Sequence, residues 1–157
     1  MGFILNILIR IRMFLIGLTV YKPFLRKAQN PEEIQSDLLF RIIESHKNTE
    51  FGKEHRFKDI RSYDDYIKQV PVSEYENLRK YVDKQRLKKV PALNPVQPEF
   101  YATTSGTTGE PKYIPILRST VEDYKNGQKA LSYAAYRNDP KAYDGKFLSI
   151  VSPAIEG

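Results

Sequence analysis

The stretch Phe100–Ile116, Phe-Tyr-Ala-Thr-Thr-Ser-Gly-Thr-Thr-Gly-Glu-Pro-Lys-Tyr-Ile-Pro-Ile, decides how this chain is read. It holds five hydroxyl side chains (Thr103, Thr104, Ser105, Thr107, Thr108), two glycines (Gly106, Gly109) and then Lys112. Short apolar runs flank it, Phe100–Ala102 before and Tyr113–Ile116 after, so the spacing predicts strand, loop, strand. Glycine has no Cβ, which lets a backbone turn sharply and come close to a ligand. Successive N–H groups in such a turn form a concavity that attracts anions. Hydroxyls rotate to suit whichever oxygen is near. Lys112 adds a compact cation on a long stem, and Pro111 stiffens the segment that presents it. Together these features point to a polyphosphate.

Two better-known phosphate loops do not fit. A Walker A loop needs Gly, four residues and then Gly-Lys-Ser/Thr opening a helix. Here Glu110 and Pro111 separate Gly109 from Lys112, and a strand-like run follows. No Gly-x-Gly-x-x-Gly occurs in the chain. The competing reading is a Ser/Thr/Gly-rich surface turn. Such a turn needs only two or three of these residue types, not a long ordered run ending in Pro-Lys.

Thr104-Ser105-Gly106-Thr107-Thr108-Gly109-Glu110-Pro111-Lys112 resembles the first signature of the adenylate-forming superfamily, which includes acyl-CoA synthetases, luciferases and adenylation domains. Most of those continue with Gly after the Lys. This chain continues Tyr113-Ile114-Pro115, which is similar instead to the acyl-acid–amido synthetases, the auxin-responsive family. Asn48-Thr49-Glu50-Phe51-Gly52-Lys53 and Val70-Pro71-Val72-Ser73-Glu74-Tyr75-Glu76-Asn77-Leu78-Arg79 also resemble that family. The resemblance covers about Asn30 to Pro153, and the first 29 residues carry little of it.

Composition is ordinary for one domain with a core, at 157 residues, 41% hydrophobic and 28% charged. There is no Cys, which removes disulfides, Cys-based metal sites and Cys nucleophiles, and fits a reducing, cytoplasmic setting. His46 and His55 are the only histidines, so a multi-histidine metal site is not expected, and both are read as solvated or capping residues. Net charge is +6, with five basic and no acidic groups in residues 1–30. The remaining excess sits in Lys80, Lys84, Arg86, Lys88 and Lys89 rather than at the loop. That second run lacks the interleaved aromatics that stack on bases, so a solvated face is expected and no nucleic-acid partner.

Four segments are expected: an apolar, basic N-terminal helix over 1–29, a helical region over 30–89, a Pro-rich connector over 90–99 and an α/β region over 100–157. Phe3–Val20 is the most apolar stretch, interrupted by Arg10 and Arg12. Each Arg near a bilayer centre costs about 2.5–3.5 kcal/mol, which argues against a spanning helix. Tyr21-Lys22-Pro23 is a poor cleavage site for a secretory signal, and Asn6 does not suit myristoylation of Gly2. A helix docked on the rest of a larger protein is expected, with interfacial membrane contact as the alternative. Asn30-Pro31-Glu32-Glu33 reads as a capped helix start with Ile34, Leu38, Leu39, Ile42 and Ile43 on one face, ending near Lys47-Asn48. Phe51-Gly52 is expected to be the exit turn. Ser62 with Asp65, Ser73 with Glu76 and Ser119 with Glu122 read as capping boxes. Tyr75, Leu78 and Val82 form the packing face of the second of these helices. Val121, Tyr124, Gln128, Leu131 and Ala135 are expected to form that of the third, which stops at Asn138-Asp139-Pro140. A buried strand is expected over Lys146–Val151, closed by Ser152-Pro153 where open α/β sheets contact ligands.

The resemblance implies an α/β fold, the N-terminal part of the large luciferase-like adenylate-forming domain. It implies a ligase using ATP and Mg²⁺. A carboxylic acid is activated as its acyl-adenylate, and an amine or amino acid then takes the acyl group. Thr104, Ser105, Thr107 and Thr108 would donate to phosphate, Gly106 and Gly109 would permit close approach, and Lys112 would supply charge. No catalytic residue and no protein metal ligand is assigned. The family's later ATP motifs and smaller C-terminal domain have no counterpart before Gly157, so an N-terminal piece, inactive alone, is expected. Two alternatives stand beside this: an acyl-CoA synthetase, with a thiol acceptor, and a non-catalytic, basic, membrane-apposed module built on Phe3–Val20.

Overall fold

The structure, a computed structural model, describes residues 3–104, 110–145 and 148. Among these residues helices dominate, and the only sheet is one antiparallel pair of strands. The expected order is met as far as helices, two strands and a helix. Of the buried strand expected over 146–151 only Leu148 is described, and it is 91% exposed and in no strand; the rest of that stretch and Ser152-Pro153 lie outside the described residues. The chain divides into two compact units, residues 29–124 and residues 1–28 with 125–157.

In the 29–124 unit, helix α3 spans Pro31–His46, with Pro31 at its first position. Asn30 precedes it, but its side chain makes no capping bond, so only the proline half of the expected start is used. Thr49 then caps a short helix, α4 (Glu50–Glu54): its hydroxyl accepts from the Gly52 N–H at 3.0 Å and donates to the His46 carbonyl at 2.8 Å. Phe51-Gly52 is therefore not an exit turn. The cap carries the chain into another turn of helix, and Gly52 is there because a Cβ would stand 2.1 Å from the His46 carbonyl oxygen. The core gathers Ile43, Phe57 and Ile60 with Leu39, Phe40, Phe51, Tyr66 and Val70 around them. Phe51 links that core to the next long helix, meeting Phe57 edge-on at 5.8 Å and Tyr81 at 5.3 Å.

Helix α5 (Tyr63–Gln69) opens on the expected capping box, with Ser62 and Asp65 bonding each other's backbone N–H. Helix α6 (Tyr75–Lys88) does not use Ser73 and Glu76 that way. Ser73 donates to the Pro71 carbonyl at 3.1 Å and the Glu76 carboxylate is held by Arg79, so neither is free for the reciprocal bonds. The packing face of α6 includes Val82 as expected, with Tyr81 and Gln85 also buried. Gln85 organises the proline-rich connector. Its amide donates to the carbonyls of Asn94 (3.2 Å) and Val96 (2.8 Å), and its oxygen accepts from the N–H groups of Leu93 (3.0 Å) and Asn94 (2.8 Å). The first N–H groups of α4 also go to this connector, Glu50 to Pro91 and Phe51 to Ala92. A segment with little secondary structure of its own is thus pinned from two helices.

Strands β1 (Phe100–Thr103) and β2 (Tyr113–Ile116) pair antiparallel, Phe100 opposite Ile116 and Thr103 opposite Tyr113. Pro115 is tolerated because a two-strand ladder has open edges.

In the other unit, α1 (Phe3–Ile16), a π-helical turn (Gly17–Tyr21) and α2 (Lys22–Ala28) run on without a break. Pro23 has no N–H to donate back to Thr19 and its ring crowds that carbonyl, and the widened turn falls where that strain would arise. Met13, Ile16 and Gly17 are buried. A Cβ on Gly17 would lie 2.5 Å from the Tyr133 ring, so only glycine permits this approach. Tyr21 meets the same ring at 4.9 Å. Tyr133 stands on α7 (Arg118–Asn138), whose residues from 125 onward belong to this unit. Helix α7 begins before Ser119, so Ser119 lies inside the first turn and not at the cap, and Arg118 pairs with Glu122 instead. Its expected packing face is also displaced: Tyr124 and Leu131 are 69% and 65% exposed while Ala130 is buried. The helix stops at Asn138 as expected, and Asp139 caps the short 3₁₀ turn Pro140–Tyr143.

Candidate functional site: a clamped hairpin mouth

The hairpin brings Thr104 and Lys112 together. The Thr104 N–H donates to the Lys112 carbonyl at 3.2 Å, one rung beyond the β1–β2 ladder. The segment between them therefore leaves and returns at one point. Thr104 and Lys112 are exposed. Ser105, Gly106, Thr107, Thr108 and Gly109 lie outside the described residues.

Helix α6 fixes the stem. The Tyr75 hydroxyl accepts from the Tyr113 N–H at 2.7 Å and donates to the Tyr113 carbonyl at 3.2 Å, so one phenol replaces both bonds that a third strand would supply. Arg79 binds Glu76 through two nitrogens, at 2.7 and 3.0 Å, and donates its third bond to the Pro111 carbonyl at 3.3 Å. Glu110 stands 3.7 Å from the same guanidinium. Hydrogen bonding to Glu76 pushes the Arg79 pKa further up, and the same bond holds Glu76 below the usual carboxylate range. The pair stays charged, and Arg79 is committed to the loop's exit peptide. Arg86 lies over the Tyr113 ring at 4.0 Å.

Lys112 is different. Its ammonium lies 5.7 Å from the centre of the Tyr75 ring and makes no hydrogen bond or ion pair among the described residues. The Thr104 hydroxyl likewise has no hydrogen-bond partner among them. One cation and one hydroxyl thus face solvent from the mouth of a rigid stem, a donor set suited to an anionic oxygen.

A cleft of about 460 Å³ adjoins the clamp through Glu76 and is lined also by Glu54, His55, Lys80 and Tyr81, with no described residue of the expected loop in its wall. There the Tyr81 hydroxyl, with Lys80, lowers the Glu54 pKa, while burial and then Glu54 push the Tyr81 phenol up. His46 Nδ1 meets the Ile42 carbonyl at 2.8 Å and His55 Nδ1 the Phe51 carbonyl at 2.9 Å. No cluster of three or more carboxylate or imidazole groups suited to a metal occurs among the described residues.

The clamp is not legible in the sequence: the pattern puts Tyr75 on a packing face and Glu76 in a cap, and gives Arg79 no role. The three-residue spacing of Glu76 and Arg79 is an ion-pair signal, but nothing local shows that it reaches Pro111, 32 residues away.

No curated protein matches the chain. The profile of the GH3 family N-terminal domain matches residues 20–157. Members of that family are adenylating acyl-acid amido synthetases, soluble enzymes that use ATP and Mg²⁺. The match spans the hairpin, its α6 clamp and most of the chain, and the chain belongs to the auxin-responsive GH3 acyl-acid amido synthetase family.

Proposed function

We propose that the hairpin mouth at 104–112 holds the β- and γ-phosphates of ATP in an enzyme that joins a carboxylic acid to an amine or amino acid. The observation that carries this is the Lys112 ammonium, without an ion-pair partner among the described residues, near Thr104 at the end of a clamped stem, in a chain of this family. The first step sets an anion against a polyanion. The substrate carboxylate oxygen bonds to the α-phosphorus, the bond from that phosphorus to the bridging oxygen breaks, and pyrophosphate leaves. The amine nitrogen then bonds to the acyl carbon, AMP leaves with the former carboxylate oxygen, and the nitrogen gives up a proton. Lys112 offsets charge on the departing pyrophosphate, and the Thr104 hydroxyl donates to it. Mg²⁺ bound with the nucleotide would supply further neutralisation of that charge.

Ser105, Thr107 and Thr108 would add donors, and Gly106 and Gly109 would let the loop backbone approach. Arg79 acts as a positioning residue. It holds the Pro111 carbonyl, and so the peptide that presents Lys112. The expected setting is cytoplasmic.

Pyrophosphate–ATP exchange in the full-length protein tests this. Lys112→Ala should lower exchange by about 100-fold, the scale of losing one charge-stabilising donor, with Lys112→Arg partly restoring it. Exchange at the wild-type rate in a folded Lys112→Ala protein would remove Lys112 from the mechanism.

A further inference from the structure

The helix through residues 3–28 exposes far more apolar surface than the folded chain covers. Ile4–Ala28 has a mean hydropathy of 1.8 over its most apolar window, and only 17% of that window is buried. Length and composition would let it cross a bilayer. The distribution of its side chains says otherwise.

At about 100° per residue, Ile4, Ile7, Leu8, Ile11, Phe14 and Leu15 fall within one arc of about 120°. Each of the six is at least 41% exposed. Met13 and Ile16, both buried, lie on the opposite side, and Gly17 beyond them rests on the Tyr133 ring. Arg10 and Arg12, both exposed, fall about 40° outside the two edges of the apolar arc, one on each side. The helix therefore has a docked stripe, an open apolar stripe opposite it, and a cation on each margin between them.

We infer that this open face is a docking surface for an anionic lipid bilayer, on which the helix lies in the plane of the headgroups. Charge complementarity selects the occupant. The first 31 residues hold Arg10, Arg12, Lys22, Arg26 and Lys27 and no acidic residue. Arg10 and Arg12 have no ion-pair partner among the described residues. A protein surface covering the apolar arc would have to bury or pair both guanidinium groups. A headgroup layer takes the apolar arc into its acyl boundary and meets the flanking cations with phosphate. A spanning arrangement would put both arginines in hydrocarbon and strip the docked stripe from its own unit. The family match begins at residue 20, so α1 lies outside it, and attachment by this face is separate from the chemistry of the hairpin.

Co-sedimentation of the full chain with vesicles decides this. The vesicles are phosphatidylcholine alone, or with about one third phosphatidylserine. Binding should require the anionic lipid and fall as salt rises from about 0.1 M to about 1 M. Ile11→Asp with Phe14→Asp should weaken it by at least about tenfold, as should Arg10→Glu with Arg12→Glu. Both pairs should leave the melting temperature unchanged, since these side chains are exposed. Equal vesicle binding by the variants overturns the proposal, and so does resistance of the bound protein to carbonate extraction, which marks a spanning helix. A dimer in solution that Ile11→Asp with Phe14→Asp dissolves, without vesicle binding, assigns the face to a second copy and overturns it too. A lowered melting temperature in that variant places the face inside the chain's own packing, with the same consequence.

Discussion

Helices α6 and α1 both carry cations next to apolar surface, and they treat them in opposite ways. On α6 four of the five cations are engaged by the chain itself. Lys80 reaches Glu54 at 3.2 Å, Lys84 reaches Glu50 at 2.7 Å, Arg79 holds Glu76, and Arg86 lies on Tyr113. On α1 neither Arg10 nor Arg12 is paired among the described residues. A run of positive charge in a sequence therefore says little until its carboxylates are found. The α6 run looked like a solvated face, yet it ties a short helix and a hairpin to one scaffold. On α1 both cations lack a partner among the described residues; on α6 only Lys88 does.

The strongest way to break the α6 side of this contrast is to move the helix that supplies its carboxylates. Glu50 and Glu54 both stand on α4, whose position depends on Gly52 fitting beneath the His46 carbonyl. Gly52→Ala puts a methyl 2.1 Å from that oxygen and 2.9 Å from its carbon. Both are backbone atoms and cannot step aside as a side chain would. Overpacking of this kind is expected to cost about 3 kcal/mol. Denaturant unfolding of the variant should show it, and a loss under about 0.5 kcal/mol would mean that α4 is not fixed by that contact.

A smaller loss is expected at the other end of the clamp. Tyr75→Phe removes both hydrogen bonds to Tyr113 and leaves its N–H and carbonyl to find water. The stability loss should be about 1–2 kcal/mol, given that a typical bond contributes about 1 kcal/mol. If the stem positions Lys112, exchange of pyrophosphate should fall more than stability explains, in KM for ATP as well as in kcat. A change in stability with no change in exchange would leave Tyr75 structural and separate the clamp from the mouth it holds.

How far these features could be read in advance follows from their range along the chain. The two strands of the hairpin, the Ser62–Asp65 cap, the Pro31 start and the Asn138 stop are all set by neighbours within a few residues, and each is legible in the sequence. The Ser73–Glu76 box had the same local pattern and was not formed, because Arg79 competes for the carboxylate. The α4 helix was missed because its cause is the fit between Gly52 and His46 together with two N–H groups donated to Pro91 and Ala92, some 40 residues away. The α7 face was misplaced because Ala130 and Tyr133, small and amphipathic, pack there in preference to Leu131. In the site, charge and hydroxyl content marked Thr104 and Lys112. Tyr75 and Arg79, which bond the hairpin stem, lie on α6, where no pattern along the sequence connects them to the loop.

The smallest effect is also the most selective, because it depends on carboxylates that only one side of the comparison has. Hydrogen bonds from Tyr81 and then Lys80 hold the Glu54 pKa low, and hydrogen bonding from Arg79 does the same for Glu76. A carboxylate whose pKa is lower folded than unfolded stabilises the protein above its unfolded pKa, near about 4.3 for Glu. That contribution is lost as pH falls through the folded value. Both groups are solvent-accessible, so the slope should be shallow and weakened by salt. Glu54→Gln with Glu76→Gln should flatten the acid limb of a denaturant-midpoint profile below about pH 4.5, leaving the neutral region nearly level. Residues 3–28 contain no acidic group to titrate, so the vesicle binding of the same variant should follow the wild type across that range. If the acid limb keeps its slope without these two carboxylates, the α6 cations are held by packing and not by charge. The contrast with α1 would then be one of burial alone.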